Sequence, residues 1–249
     1  MPGISSVCQT AQRGLAFFLG LLPCLVVSFA GAAEFSVNPV RVTLSSKEKV
    51  AALHVRNTGE TDVVIQAQLV NWTQQHAKDI FQPTKEVLVT PPIVTIPPGG
   101  TQIIRAGLRR APATDTELSY RLFLEEVPAE AQSPDTGLRM ITRLSLPVFV
   151  APSEVPASPS LRWAVQRGPE QSLLVAAYND GNGHAQIANL SLTLPDGQRV
   201  SLPGLHYLLP GNDNIWVVDT RDAAITRAPT VTLSATVNGL NVNVRMQVQ

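Results

Sequence analysis

From residue 36 onward, apolar residues fall at every second position in short runs, the repeat of a strand with one buried face. The runs are SVNPVRVTL (36–44), VAALHVR (50–56), DVVIQAQLVNW (62–72), 86–89, TQIIRAGL (101–108), LSYRLFLEEV (118–127) and 138–150. Clusters such as NTGETD and PPGG separate them, and no long amphipathic helical segment intervenes. Seven strands punctuated by turns predict a sandwich of the immunoglobulin-like kind. The last run is the longest. Leu138, Met140, Thr142, Leu144, Leu146, Val148 and Val150 form one face, against Arg139, Arg143, Ser145 and Pro147 on the other. Pro147 cannot donate to a ladder, so this strand is predicted at an edge or at a bulge rather than in the middle of a sheet. A long apolar edge invites pairing with another chain, so something must cover it.

APSEVPASPS (151–160) carries three prolines and reads as a short stiff linker. A second set of strands follows: LRWAVQR, SLLVAAYN, AQIANLSLTLP, GQRVSLP, NIWVVDT, TVTLSATVN and NVNVRMQV, with DGNG and PDG as turns. The expected organisation is two all-β domains, 34–151 and 155–249.

The first 33 residues differ in kind. One charge, Arg13, precedes the apolar run LAFFLGLLPCLVVSFA and the small residues Gly31, Ala32 and Ala33. That is the layout of a secretory signal peptide over 1–33, cut after Ala32 or Ala33. Leu22 and Pro23 fit poorly before a lipid-bearing cysteine, so Cys24 is not read as a lipidation site. Both cysteines, Cys8 and Cys24, leave with the signal. The remaining chain is then free of thiols and long enough to build its cores without disulfides. Loss of Arg13 takes Lys+Arg from 19 to 18 against 19 Asp+Glu, a net of −1 with histidines neutral. Such a balance provides no bulk attraction for nucleic acid or an anionic membrane. No later apolar run is long enough to span a bilayer, so no membrane insertion is expected after cleavage.

Material for catalysis is thin. His54, His76, His184 and His206 stand apart, with no metal-ligand spacing between them. His54 reads as a structural strand residue, and His184, after NDGNG, as a solvated loop residue. Glu125 and Glu126 are strand neighbours and point to opposite faces, so they form no carboxylate dyad. No GxSxG, HExxH or phosphate-loop pattern occurs, and an enzyme is not expected. More distinctive are four arginines set in apolar strands: Arg41, Arg105, Arg121 and Arg143. An arginine turned into a cleft needs an anionic partner, and its planar fork suits a carboxylate.

NPVRVTL (38–44), HVRNTG, VTPPIVTIPPGGTQIIRAGL (89–108), ELSYRLFLEEVP (117–128) and RLSLPVFVAP (143–152) together resemble the PapD-like periplasmic pilus (fimbrial) assembly chaperones, most closely their archaic Csu-type branch. AAYNDGNGHAQIANLSL extends the resemblance more weakly into the second domain. The resemblance implies two immunoglobulin-like β-sandwich domains at an angle with a cleft between them, in the periplasm, with no cofactor and no metal. It also implies binding and capping of pilin subunits by donor-strand complementation, and their delivery to an outer-membrane usher. The apolar edge would then be covered by the client. Leu138, Met140, Leu144, Leu146 and Val148 are the expected donor residues, and a client-free edge leaves self-association open. The family holds the client's C-terminal carboxylate with cleft cations, and Arg41 matches one of them by its place in NPVRVTL. In the better known branch a lysine stands five residues before the proline closing this strand, where this chain has Pro147. Arg105 and Arg143 are the candidates for the second charge. Ala151 stands where that branch has an arginine of an interdomain salt bridge. The alternative from another class is a secreted adhesive or carbohydrate-binding sandwich, which would need exposed aromatics around Trp72, Trp163, Trp216 or the tyrosines.

Overall fold

The computed structural model describes residues 35–109, 115–128, 141–170, 172–219 and 228–249. Every regular element among them is a strand. The first sandwich is built from β1 (Phe35–Asn38), β2 (Val42–Leu44), β3 (Val50–Asn57), β4 (Val63–Gln75), β5 (Lys78–Pro83), β6 (Val87–Thr90), β7 (Ile93–Ile96), β8 (Thr101–Leu108), β9 (Leu118–Val127) and β10 (Arg143–Val150). One sheet runs β1-β3-β8-β6 and the other β2-β10-β9-β4-β5, with β7 also on β4. Their facing side chains, among them Leu44, Leu53, Ile65, Ile104 and Leu122, form one core.

Two differences from the sequence pattern shape the site. The run 36–44 is not one strand. β1 pairs with β3, β2 pairs in parallel with β10, and the Pro39–Arg41 crossing between the sheets follows a cis Asn38–Pro39 bond. β5 was also illegible, because its hairpin with β4 turns at His76 and Ala77 with φ of 50° and 59°. Such a turn ordinarily announces itself through Asn-Gly, and this one carries neither residue.

The second sandwich comprises β11 (Leu161–Arg167), β12 (Ser172–Asn179), β13 (Ala185–Thr193), β14 (Arg199–Leu202), β15 (His206–Leu208), β16 (Asp213–Asp219), β17 (Thr230–Val237) and β18 (Leu240–Gln247). Its sheets run β11-β12-β16 and β14-β13-β17-β18, with β15 on β13, and enclose a separate core. A buried asparagine ties loops to strand ends in each sandwich. Asn57 Nδ2 donates to Thr61 O and Ile96 O, and Asn179 Nδ2 donates to Gly183 O and Leu208 O. The connecting segment packs against the DGNG turn. A Cβ on Gly181 would stand 2.3 Å from Ser158 O, so only glycine admits the chain there.

Both sandwiches lie within one unit, residues 33–249. Between them sits a small apolar cluster of Trp72, Phe149, Leu209 and Tyr207. It explains why alternation fades in β10. From Leu146 to Val150 every residue is buried, because one face meets the first core and Phe149, on the other, meets the second sandwich. The Gln74 side chain reinforces the joint, donating to Tyr207 O at 2.8 Å and accepting from Leu209 N at 2.9 Å.

Candidate functional site

Beside this joint opens a hollow of about 780 Å³ walled by both sandwiches. The β1–β2 crossing contributes Val40 and Arg41, β9 contributes Arg121, β10 contributes Ser145 and Pro147, and the second sandwich contributes Gln186, Leu205 and Tyr207. Two guanidinium groups therefore line one space. Arg41 is exposed at its rim, and no ion pair is recorded for it or for Arg121 among the described residues.

Arg121 is the deeper of the two. On β9, Tyr120, Leu122 and Leu124 point into the first core, so strand alternation turns Arg121 outward to the hollow. Its Cζ lies 3.7 Å from the Trp72 ring centroid and 5.1 Å from that of Tyr207, and its buried Nε has no hydrogen-bond partner. Burial pushes its pKa below the ordinary arginine value, while the nearby Asp79 and Tyr207 draw it back. The aromatic faces compensate part of the lost hydration but satisfy no N–H group. A cation in this condition is suited to an incoming anion that can accept hydrogen bonds.

The other nominated arginines lie elsewhere. Arg105 is on β8 between Ala52 and Thr90, exposed on the outer side of the four-stranded sheet. Ile104 and Ala106 fill the core, so Arg105 must point away from it and across the sandwich from β9 and β10. Arg143 is paired with Glu125 at 3.3 Å and lies 4.1 Å over the Phe123 ring. Neither lines the hollow. Arg105 and Arg143, the candidates for the second charge, thus lie away from the hollow, and the guanidinium beside Arg41 there is that of Arg121, which the sequence singled out only as one of four strand arginines.

The edge strand is half covered. β2 pairs only with Val148–Val150 of β10, so among the described residues Arg143–Pro147 has β9 on one side and an open edge on the other. Pro147 falls in this open half, where a missing donor is tolerated. Of the expected donor residues, Leu138 and Met140 lie outside the described residues. Leu144 packs partly buried against the first core. Leu146 and Val148, also expected as donors, are 5% and 0% exposed and form part of that core.

His184 and Glu117 were not recognised in the sequence as a pair. His184 is not a solvated loop residue, since its side chain is 13% exposed and stacks on Phe149 at 3.6 Å with an interplanar angle of 1°. Glu117 Oε2 accepts hydrogen bonds at 2.7 Å from both the backbone N and Nδ1 of His184. This contact joins the two sandwiches. Trp72 and Trp216 are buried, and Trp163 packs against the second core, so no tryptophan offers the exposed platform a carbohydrate site would need.

An all-strand chain with two immunoglobulin-like sandwiches and a basic hollow between them has the architecture of a two-domain binding protein. Residues 34–156 match the family described as "Pili and flagellar-assembly chaperone, PapD N-terminal domain". The first sandwich is thus a PapD-type chaperone domain. No curated protein sequence matches the chain. Among solved structures, the CsuC–CsuE chaperone–tip adhesion subunit complex of the archaic Csu pili of Acinetobacter baumannii aligns with a TM-score of 0.66 at 20% identity, over 87% of this chain and 100% of that one. The CupB2 chaperone of Pseudomonas aeruginosa aligns at 0.59 and 23%, over 86% and 100%. The SafB chaperone of Salmonella enterica, in complex with the SafA pilin, aligns at 0.58 and 17%, over 85% and 94%.

Proposed function

We infer that this protein is a periplasmic chaperone of the archaic type that captures pilin subunits by donor-strand complementation and passes them to an outer-membrane usher. The observation that carries the reading is the meeting, on a PapD-type domain, of an open strand edge and a hollow with two guanidinium groups that form no ion pair among the described residues. The client strand joins the open half of β10 by backbone hydrogen bonds, and alternate apolar side chains supply the fit. Leu144 and, ahead of it, Leu138 and Met140 are the donor residues. Arg41 and Arg121 fork onto the client's C-terminal carboxylate and so set the register of the added strand. Export through the signal segment at 1–33, and domains at 34–151 and 155–249, complete the assignment.

Co-expression with a pilin subunit followed by co-purification tests it. The wild-type chain is expected to retain the subunit, and Arg41→Ala to lose it while melting at the same temperature. Failure of the wild-type chain to retain subunits, or full retention by Arg41→Ala, would overturn the reading.

A further inference from the structure

The hollow has walls on two separately folded sandwiches, so its usefulness depends on what holds those walls in register. We propose that His184 is the positioning residue of the carboxylate site, setting the second-sandwich wall against Arg41 and Arg121. This rests on the reading of the hollow as a carboxylate site and adds a residue that does not line it.

The geometry ties His184 to both walls through two-residue steps along the chain, one within β10 and one from His184 into the start of β13. Phe149 belongs to β10, and Pro147, two residues earlier on the same face, lines the hollow. Gln186, two residues after His184, lines the opposite wall. The stack of His184 on Phe149 at 3.6 Å therefore fixes the spacing of Pro147 and Gln186. The effect reaches the cations through Tyr207, which pairs with Gln186 in the sheet and accepts a hydrogen bond from Gln186 Nε2 at 3.0 Å. The Tyr207 ring lies 6.0 Å from His184 and 5.1 Å from Arg121 Cζ.

Glu117 prevents His184 from shifting. Its Oε2 takes both the backbone and Nδ1 donors of His184, and its own N–H donates to Asn182 O at 2.8 Å. Ring orientation, loop position and β9 are thereby locked by one buried side chain. The lock requires an acceptor oxygen at that point rather than a charge. Glutamine can supply one and alanine cannot.

The test separates positioning from stability. The probes are an eight-residue peptide of alternating valine and threonine with a free C-terminal carboxylate and the same peptide ending in an amide. Binding is followed by NMR shifts of the arginine Nε–H groups. The wild-type protein is expected to prefer the carboxylate by about tenfold or more, the scale of a charge-assisted hydrogen bond. His184→Ala should reduce that preference to within about twofold, because Gln186 and Tyr207 of the second-sandwich wall are no longer held against Arg121, while the amide peptide binds as before. Glu117→Gln should keep the preference and Glu117→Ala should lose it, which decides the matter even if His184→Ala does not fold. A folded His184→Ala that retains the tenfold preference, or equal loss for both peptides, overturns the positioning role. Absence of any preference in the wild-type protein overturns the carboxylate reading and this proposal with it.

Discussion

Replacing Arg121 by methionine should move stability and client binding apart. The guanidinium is desolvated, makes no ion pair among the described residues, and has its pKa lowered by burial. A cation whose folded pKa lies below its unfolded value disfavours the folded state while charged, so deleting the charge relieves a penalty. Against this stands the loss of the contact 3.7 Å over Trp72, about 0.5–2 kcal/mol for a partly desolvated cation–π pair. Methionine keeps the stem and places a polarizable sulfur near the ring. The two effects nearly cancel, and the urea-derived stability of Arg121→Met should stay within about 1 kcal/mol of wild type. Binding has no such compensation. Loss of a charge-assisted hydrogen bond, about 1.5–3 kcal/mol, should weaken capture of a carboxylate-ended subunit by about 10- to 150-fold. Urea titration of the free protein and calorimetric titration with the subunit measure the two quantities. Unchanged affinity, or destabilisation beyond about 3 kcal/mol, would show that Arg121 supports the joint rather than the client.

Val148 is fully buried in the first core, so Val148→Ala should destabilise by about 1–3 kcal/mol in urea, while Ser145→Ala on the opposite face leaves the midpoint unchanged. An unchanged midpoint for Val148→Ala with lost subunit capture would return Val148 to the donor set. Tyr120 donates to Glu86 at 2.7 Å, and burial, followed by that bond and the Glu86 charge, raises its phenol pKa well above the ordinary value. Its contribution to stability is complete below about pH 10, the unfolded value, and declines as pH rises beyond it. Urea midpoints from neutral to alkaline pH should therefore fall less steeply for Tyr120→Phe than for wild type, and equal slopes would refute the assignment.

Local pattern determined a great deal here. Two-residue alternation and turn clusters are properties of neighbouring residues, and they identified an all-β chain in two sandwiches with a proline-marked strand at 138–150, of which β10 is the described part. Arg41 was singled out only through the resemblance carried by NPVRVTL, because the run 36–44 read as one strand and alternation does not reveal the crossing between β1 and β2. Tertiary structure alone decided which partner covers each face. Leu144, Leu146 and Val148 are equivalent in an alternating pattern, yet Leu146 and Val148 are buried in their own core while Leu144 is only partly covered by it. Arg105, Arg121 and Arg143 look alike in sequence. They differ because Arg105 lies on the far sheet, Arg143 meets Glu125, and Arg121 faces the second sandwich. His184 followed a turn signal and read as solvated, since nothing within its own segment reveals that Phe149 and Glu117 close over it. Alternation tells which side chains share a face, but burial and charge compensation depend on what packs against that face, and those partners come from distant parts of the chain.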